Sequence, residues 1–252
     1  MKENNDIFKK FRDSFSKIDG HFHILEQRVP VERQMEYFKY SEKIKKDQDK
    51  SDMSRTDFSI FENSLDDPGS TTEHKKHVLS MLAISRQVKA YRILEEYAQA
   101  PAPDVADWAY MALMESRIAL ESELSDEMQI YISTGLGGRG EKLRFYVLLL
   151  ANELKSFLEY QKKVIEREFS YSLEKADCEI ERLTIGEKHV ELVFLIPVRA
   201  DIKQTLDKVI NECNQYGNFL SQVFTITNVK ELSGEEVEEI IKKNGGNSQA
   251  SH

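Results

Sequence analysis

The stretch Ile130–Leu150, IYISTGLGGRGEKLRFYVLLL, decides how the chain is to be read. Gly135, Gly137 and Gly140 spell G-x-G-x-x-G, the pattern of loops that hold a dinucleotide pyrophosphate against a helix N-terminus. That chemistry needs a strand before the glycines and a helix after them. Upstream, QIYIST alternates as a strand does. Downstream, KLRFYVLLL gathers Phe, Tyr and Val in an apolar run suited to a central strand, and the next strand comes only near Cys178. The glycines Gly135, Gly137, Gly138 and Gly140 are therefore expected to turn a hairpin in which positive φ is required at one or more positions. Arg139 at its tip, with Arg144 just beyond, is the handle it offers to an anion or a partner's carboxylate. A helix starting at Gly140 would revive the nucleotide site, and a strand would close it.

Beyond this stretch the pattern alternates. NELKSFLEYQKKVIEREFSYSLEKA reads as one amphipathic helix burying Leu154, Phe157, Leu158, Val164, Ile165 and Phe169. CEIERLTIGEKHVELVFLIPV reads as two strands around Gly186-Glu187. A helix from an Asp201 cap to a Gly217 stop follows, then the strand FLSQVFTITNV and the acidic helix SGEEVEEIIKK. From Lys142 the order is β-α-β-β-α-β, the split-βαβ, ferredoxin-like succession. The segment QIYIST is expected as an extra N-terminal strand of that half, so the domain is placed at residues 126–243, with a disordered tail at 244–252.

The first half reads as helix, making the chain α+β. Ile7, Phe8, Phe11, Phe15 and Ile18 form one stripe, and a second helix is expected from Val31 to Lys46, giving N-terminal helices over 1–46. Residues 47–72, rich in Ser, Asp and Thr, are read as a flexible connector whose FSIF island is a loop stapled to the core in preference to a docking peptide. Residues 73–125 form a helical hairpin: HVLSMLAISRQVKAYRILEEYAQ, a break at Ala100-Pro101 and Ala102-Pro103, then a helix capped by Asp104. Within residues 77–124, PAPDVADWAYMALMESRIALESEL resembles the helical hairpins of the HEAT and armadillo repeat families, through Val105, Ala109, Ala112 and Leu113. The resemblance implies a helical scaffold presenting a concave surface to a protein partner.

Composition narrows the function classes. The net charge of −9 disfavours nucleic acid as a partner. No apolar run approaches the roughly 20 residues that cross a bilayer, and the N-terminus lacks a signal-peptide core, so a cytoplasmic protein without a membrane partner is expected. Cys178 and Cys213 lack metal spacing and read as buried thiols. His21 and His23, and His74 and His77, lack companion ligands at standard spacing. No nucleophile–base constellation is assembled and no cofactor is implied. The expected function is a non-enzymatic, cytoplasmic protein-interaction module. Its contact regions are the glycine tip with Arg139 and Arg144, and the helix surface around Arg86, Lys89 and Arg92. The alternative is a regulatory or enzymatic domain binding a small anionic ligand or nucleotide at residues 135–140.

Overall fold

The computed structural model describes residues 21–48, 57–124 and 129–247. The expected helix over Ile7–Ile18 and the last residues of the expected tail lie outside them. The described chain divides into two compact units, one within Asp19–Thr134 and one within Gly135–His252. As expected, helices fill the first half and a strand-rich α+β arrangement the second.

The first unit holds helices α1 (Val31–Gln48), α2 (Phe58–Asp66), α3 (Thr72–Ile84), α4 (Val88–Tyr97) and α5 (Ala106–Leu124). It also holds a parallel pair of short strands, β1 (His21–Ile24) and β2 (Gln129–Ile132). Its core gathers Tyr37, Leu79, Leu82, Leu94, Trp108 and Met111. The carboxylate of Glu115 is buried within this unit. It accepts hydrogen bonds from the Tyr37 hydroxyl at 2.5 Å and the Ser41 hydroxyl at 2.8 Å, and pairs with Lys45 at 2.5 Å. Burial, beside that carboxylate, pushes the Tyr37 phenol well above its ordinary range.

Three expectations change here. The FSIF island is not a loop but the start of α2: the Asp57 side chain caps it by accepting from the Ser59 N–H at 3.1 Å, and Phe58 and Leu65 enter the core. The single helix expected through His77–Gln99 breaks at Arg86, whose φ is +54°, while the Ser85 hydroxyl bonds the Leu82 carbonyl at 2.7 Å. Asp104 caps nothing in α5; its carboxylate accepts from the Thr72 hydroxyl instead.

The second unit carries β3 (Gly138–Arg139), β4 (Lys142–Ala151), β5 (Glu179–Ile185), β6 (His189–Pro197) and β7 (Leu220–Thr227) in one antiparallel sheet. Its long helices are α6 (Glu159–Lys175), α7 (Ile202–Asn214) and α8 (Gly234–Asn247). The order β7-β4-β6-β5 is the ferredoxin-like one, with the last strand beside the first. The extra strand in front of β4 is β3, two residues long, whereas Gln129–Ile132 pairs with β1. Both β3 and β7 fit on one edge of β4 because they use different parts of it: β3 meets Lys142 and Leu143, and β7 meets Tyr146 to Ala151.

Alternation along β4 sets the layers. Tyr146, Leu148 and Leu150, with Val193 of β6, face α8, whose Val237, Ile240 and Ile241 pack against them. Leu143, Phe145, Val147 and Leu149 point to the opposite face. There α6 buries Val164, Ile165, Phe169 and Leu173, and α7 buries Leu206, Val209, Ile210 and Cys213. The Asp201 carboxylate caps α7, accepting from the Gln204 N–H at 2.9 Å, as the sequence led one to expect. α6 starts later than expected. Asn152–Leu154 is a 3-10 turn with Glu153 and Leu154 at positive φ, and Leu158, assigned to the buried stripe, stands exposed at the helix start. α8 runs on to Asn247, into the segment read as a disordered tail.

Candidate functional site

The element after Gly140 is the strand β4, so the glycines turn a corner and no helix N-terminus faces them. Gly137 and Gly140 have φ of +68° and +58°. Gly135 is required for another reason: a Cβ there would sit 1.8 Å from the Val229 carbonyl oxygen. Gly138 and Arg139 form β3. Arg139 pairs with Glu179. Arg144 reaches Glu181 through two nitrogens, at 2.5 and 2.8 Å, and donates to the Leu136 carbonyl at 2.6 Å. Lys142 bridges Asp177 and Glu179, each at 2.9 Å, which raises its pKa. The cations of the corner are thus bonded to acids of the same unit.

Arg86, Lys89 and Arg92 belong to the other unit, on and just before α4. Arg86 pairs with Glu123 at 3.2 Å, Arg92 with Glu95 at 2.7 Å, and Lys89 is exposed. His23 stacks on Tyr131 at 4.6 Å and donates from Nε2 to the Gln129 amide oxygen at 2.7 Å. Among the described residues there is no cluster of three or more metal-ligating side chains, and no helix is long and apolar enough to cross a membrane.

A different feature emerges on the helical layer of the second unit. The outward face of α6 carries Tyr160, Lys163, Arg167 and Tyr171 at spacings of three, four and four, so they form one stripe, and Lys175 continues it. Tyr216, just past the C-terminal end of α7, joins from the side, with the Arg167 guanidinium 5.2 Å from its ring centroid. The Lys175 ammonium lies 5.8 Å from the Tyr171 ring. Tyr160, Tyr171 and Tyr216 are 50%, 62% and 49% exposed, far too open to serve as core. From Tyr160 to Lys175 the ridge runs about 22 Å at helical rise. Acids interleave it: Arg167 also pairs with Glu168 at 2.7 Å, and Glu159 is held by Lys162 at 2.8 Å, which lowers the Glu159 pKa.

Beside the ridge lies a cavity of about 560 Å³, lined by residues including Asn152, Phe157, Leu158, Gln161, Asn218 and Phe219. Its aromatic wall is an edge-to-face pair, Phe157 and Phe219, with centroids 6.2 Å apart. Sequence reading missed both features. The apolar stripe of α6 is the one its hydrophobic spacing announces, the complementary one carries no motif, and the approach of Tyr216 depends on how α7 packs.

No family model matches the chain, and no curated protein matches it. Solved structures similar to it include a transposase of Deinococcus radiodurans R1, at 13% identity and a TM-score of 0.36, covering 42% of this chain and 95% of that one. Another is a REP-associated tyrosine transposase bound to a REP hairpin, at 11% identity and a TM-score of 0.31, covering 42% of this chain and 70% of that one. The reading as a non-enzymatic protein-interaction module and the expectation that nucleic acid is no partner find no support in these neighbours, which are named as transposases, one of them bound to a REP hairpin; the nucleotide site at the glycine loop is closed by the strand that follows Gly140. A net charge averages over the whole surface, whereas contact with a nucleic acid is decided by a local patch, so the overall charge of −9 does not exclude such a partner.

Proposed function

We propose that the C-terminal unit binds single-stranded nucleic acid along the ridge formed by α6 and the end of α7. The observation that carries this reading is the set of three exposed tyrosines, Tyr160, Tyr171 and Tyr216, with Lys163, Arg167 and Lys175 among them. Bases stack on exposed aromatic rings while cations track the phosphates, and each base–ring contact is worth about 1–3 kcal/mol. The interleaved glutamates make stacking, rather than charge neutralisation, the larger contribution here. A duplex, whose bases are already stacked on one another, offers the ridge only its phosphates. Single strands are therefore preferred.

The test is fluorescence anisotropy of the full chain with a labelled single strand of about ten nucleotides, long enough to cover the ridge with overhang at both ends. The expected result is binding by the wild type, weakened roughly tenfold by Tyr216→Ala and by Tyr160→Ala, with a weaker response to the matching duplex. Equal binding by wild type and both tyrosine variants overturns the proposal, as does no binding by the wild type.

A further inference from the structure

We infer that the cavity beside the ridge receives one unpaired nucleotide at an end of the bound strand; the inference rests on the nucleic-acid reading above. The cavity adjoins the ridge directly. Leu158 and Gln161 on its wall flank Tyr160, Gly217 on its wall follows Tyr216, and a Cβ on Gly217 would lie 3.5 Å from the Tyr160 hydroxyl. Its volume of about 560 Å³ suits a single nucleotide and not a stack of several.

Backbone strain is concentrated on this spot. Among the described residues the non-glycine positions at positive φ are Arg86, Glu153, Leu154, Asp177 and Asn218; Glu153 and Asn218 line the cavity and Leu154 lies beside them in sequence. Gly217, also on the wall, has φ of +129°. Each such non-glycine residue costs of order 1–3 kcal/mol and persists where its surroundings hold it. Here the surroundings are well defined. The Asn152 N–H donates to the Phe219 carbonyl at 2.8 Å, the Phe157 N–H to the Glu187 carbonyl at 2.8 Å, and the Ser156 hydroxyl to the Glu187 carboxylate at 2.6 Å. The strained turns thus hold the cavity open between two strand ends and the start of a helix.

The lining matches a base on two counts. The exposed Leu158 side chain, backed by the largely buried Phe157 and Phe219 rings, supplies an apolar wall for its face. At the wall the Asn152 amide N–H₂ donates to the Asn218 carbonyl at 2.8 Å and to the Asn218 amide oxygen at 3.2 Å. By the inventory of an amide side chain, that leaves the Asn152 oxygen as an acceptor and the Asn218 N–H₂ as a donor. An adjacent donor and acceptor is the arrangement that reads a base edge.

The experiment uses the full chain and short single strands of about five nucleotides, close to the span of the ridge. In one probe the base at the 5′ end is replaced by an abasic residue, in another the base at the 3′ end. Expected is a roughly tenfold loss of affinity for abasic replacement at one end and little at the other. In Asn218→Gly, which keeps the left-handed backbone and removes the amide, this asymmetry should shrink while the unmodified strand still binds. Equal losses at the two ends overturn the cavity inference and leave the ridge standing. An asymmetry unchanged in Asn218→Gly overturns the assignment to this cavity. No binding of any strand by the wild type overturns the ridge reading, and the cavity inference with it.

Discussion

Arg144 and Arg167 belong to the same unit, and each meets a glutamate, but the two sites use their cation differently. At the glycine corner Arg144 is 11% exposed, grips Glu181 with two nitrogens and also donates to a backbone carbonyl. On the ridge Arg167 is 60% exposed, meets a single oxygen of Glu168 through two nitrogens at 2.9 and 2.7 Å, donates to no backbone carbonyl among the described residues and lies over the Tyr216 ring. The first arrangement fixes a turn against the sheet. The second leaves a charged, flat surface facing solvent between aromatic rings. A motif read letter by letter drew attention to the corner, where structure uses up the chemistry. The ridge has no motif, only a spacing.

The sharpest way to break this comparison is to test whether the corner is structural. Gly135→Ala places a methyl 1.8 Å from the Val229 carbonyl, so the backbone must move, at a cost of about 3 kcal/mol. Urea titration should show the midpoint falling with an unchanged slope. A neutral outcome would mean that the corner yields easily and is not a fixed turn.

The layer beneath the ridge gives the next effect, in alkaline solution. Burial pushes the Cys213 thiol from 9.0 up to about 12. Between those values the folded thiol keeps its proton while the unfolded one has lost it, so the unfolded state binds fewer protons and stability falls as pH rises. The slope is about 1.4 kcal/mol per pH unit for this thiol. Unfolding free energies measured from pH 8 upwards should decline less steeply in Cys213→Ala than in the wild type; parallel curves would contradict the buried thiol.

Smaller still is the direct contrast between the two arginines' neighbourhoods. Arg167→Gln should weaken single-strand binding roughly fivefold and reduce the salt slope by about 0.7, the share of one phosphate on a single strand. Arg139→Gln, at the corner, should leave both unchanged. If the two variants behave alike in a salt titration, the corner and the ridge are not different kinds of site. Smallest of all, Arg92→Ala on α4 removes an exposed ion pair and should shift stability by no more than about 0.5 kcal/mol by thermal melting.

Much of the fold could be read from local signals because local forces decide it. The apolar run of β4, the Asp201 cap and the alternation of strands and helices gave the ferredoxin-like order. The failures have tertiary causes. Nothing in SRQV marks a helix break, yet Arg86 takes positive φ where the chain turns from α3 to α4. β2 finds β1 across a long sequence separation, which its own residues do not announce. In α2 the signal was present, Phe58, Phe61 and Leu65 at helical spacing, and the polar residues around it obscured it. The ridge was half legible: Tyr160, Lys163, Arg167 and Tyr171 share a stripe by spacing alone, but Tyr216 reaches them only through the packing of α7 on the sheet.

The placement of Trp108 has a practical result. It is the single tryptophan of the chain, buried in the unit Asp19–Thr134 with its indole N–H on the Ser80 hydroxyl at 2.9 Å and Lys76 4.8 Å above the ring. The two cysteines, both buried, are in the other unit. Intrinsic emission therefore monitors the melting of one unit while thiol labelling times the opening of the other. The natural sequence carries an independent reporter for each half, without any added dye or engineered probe.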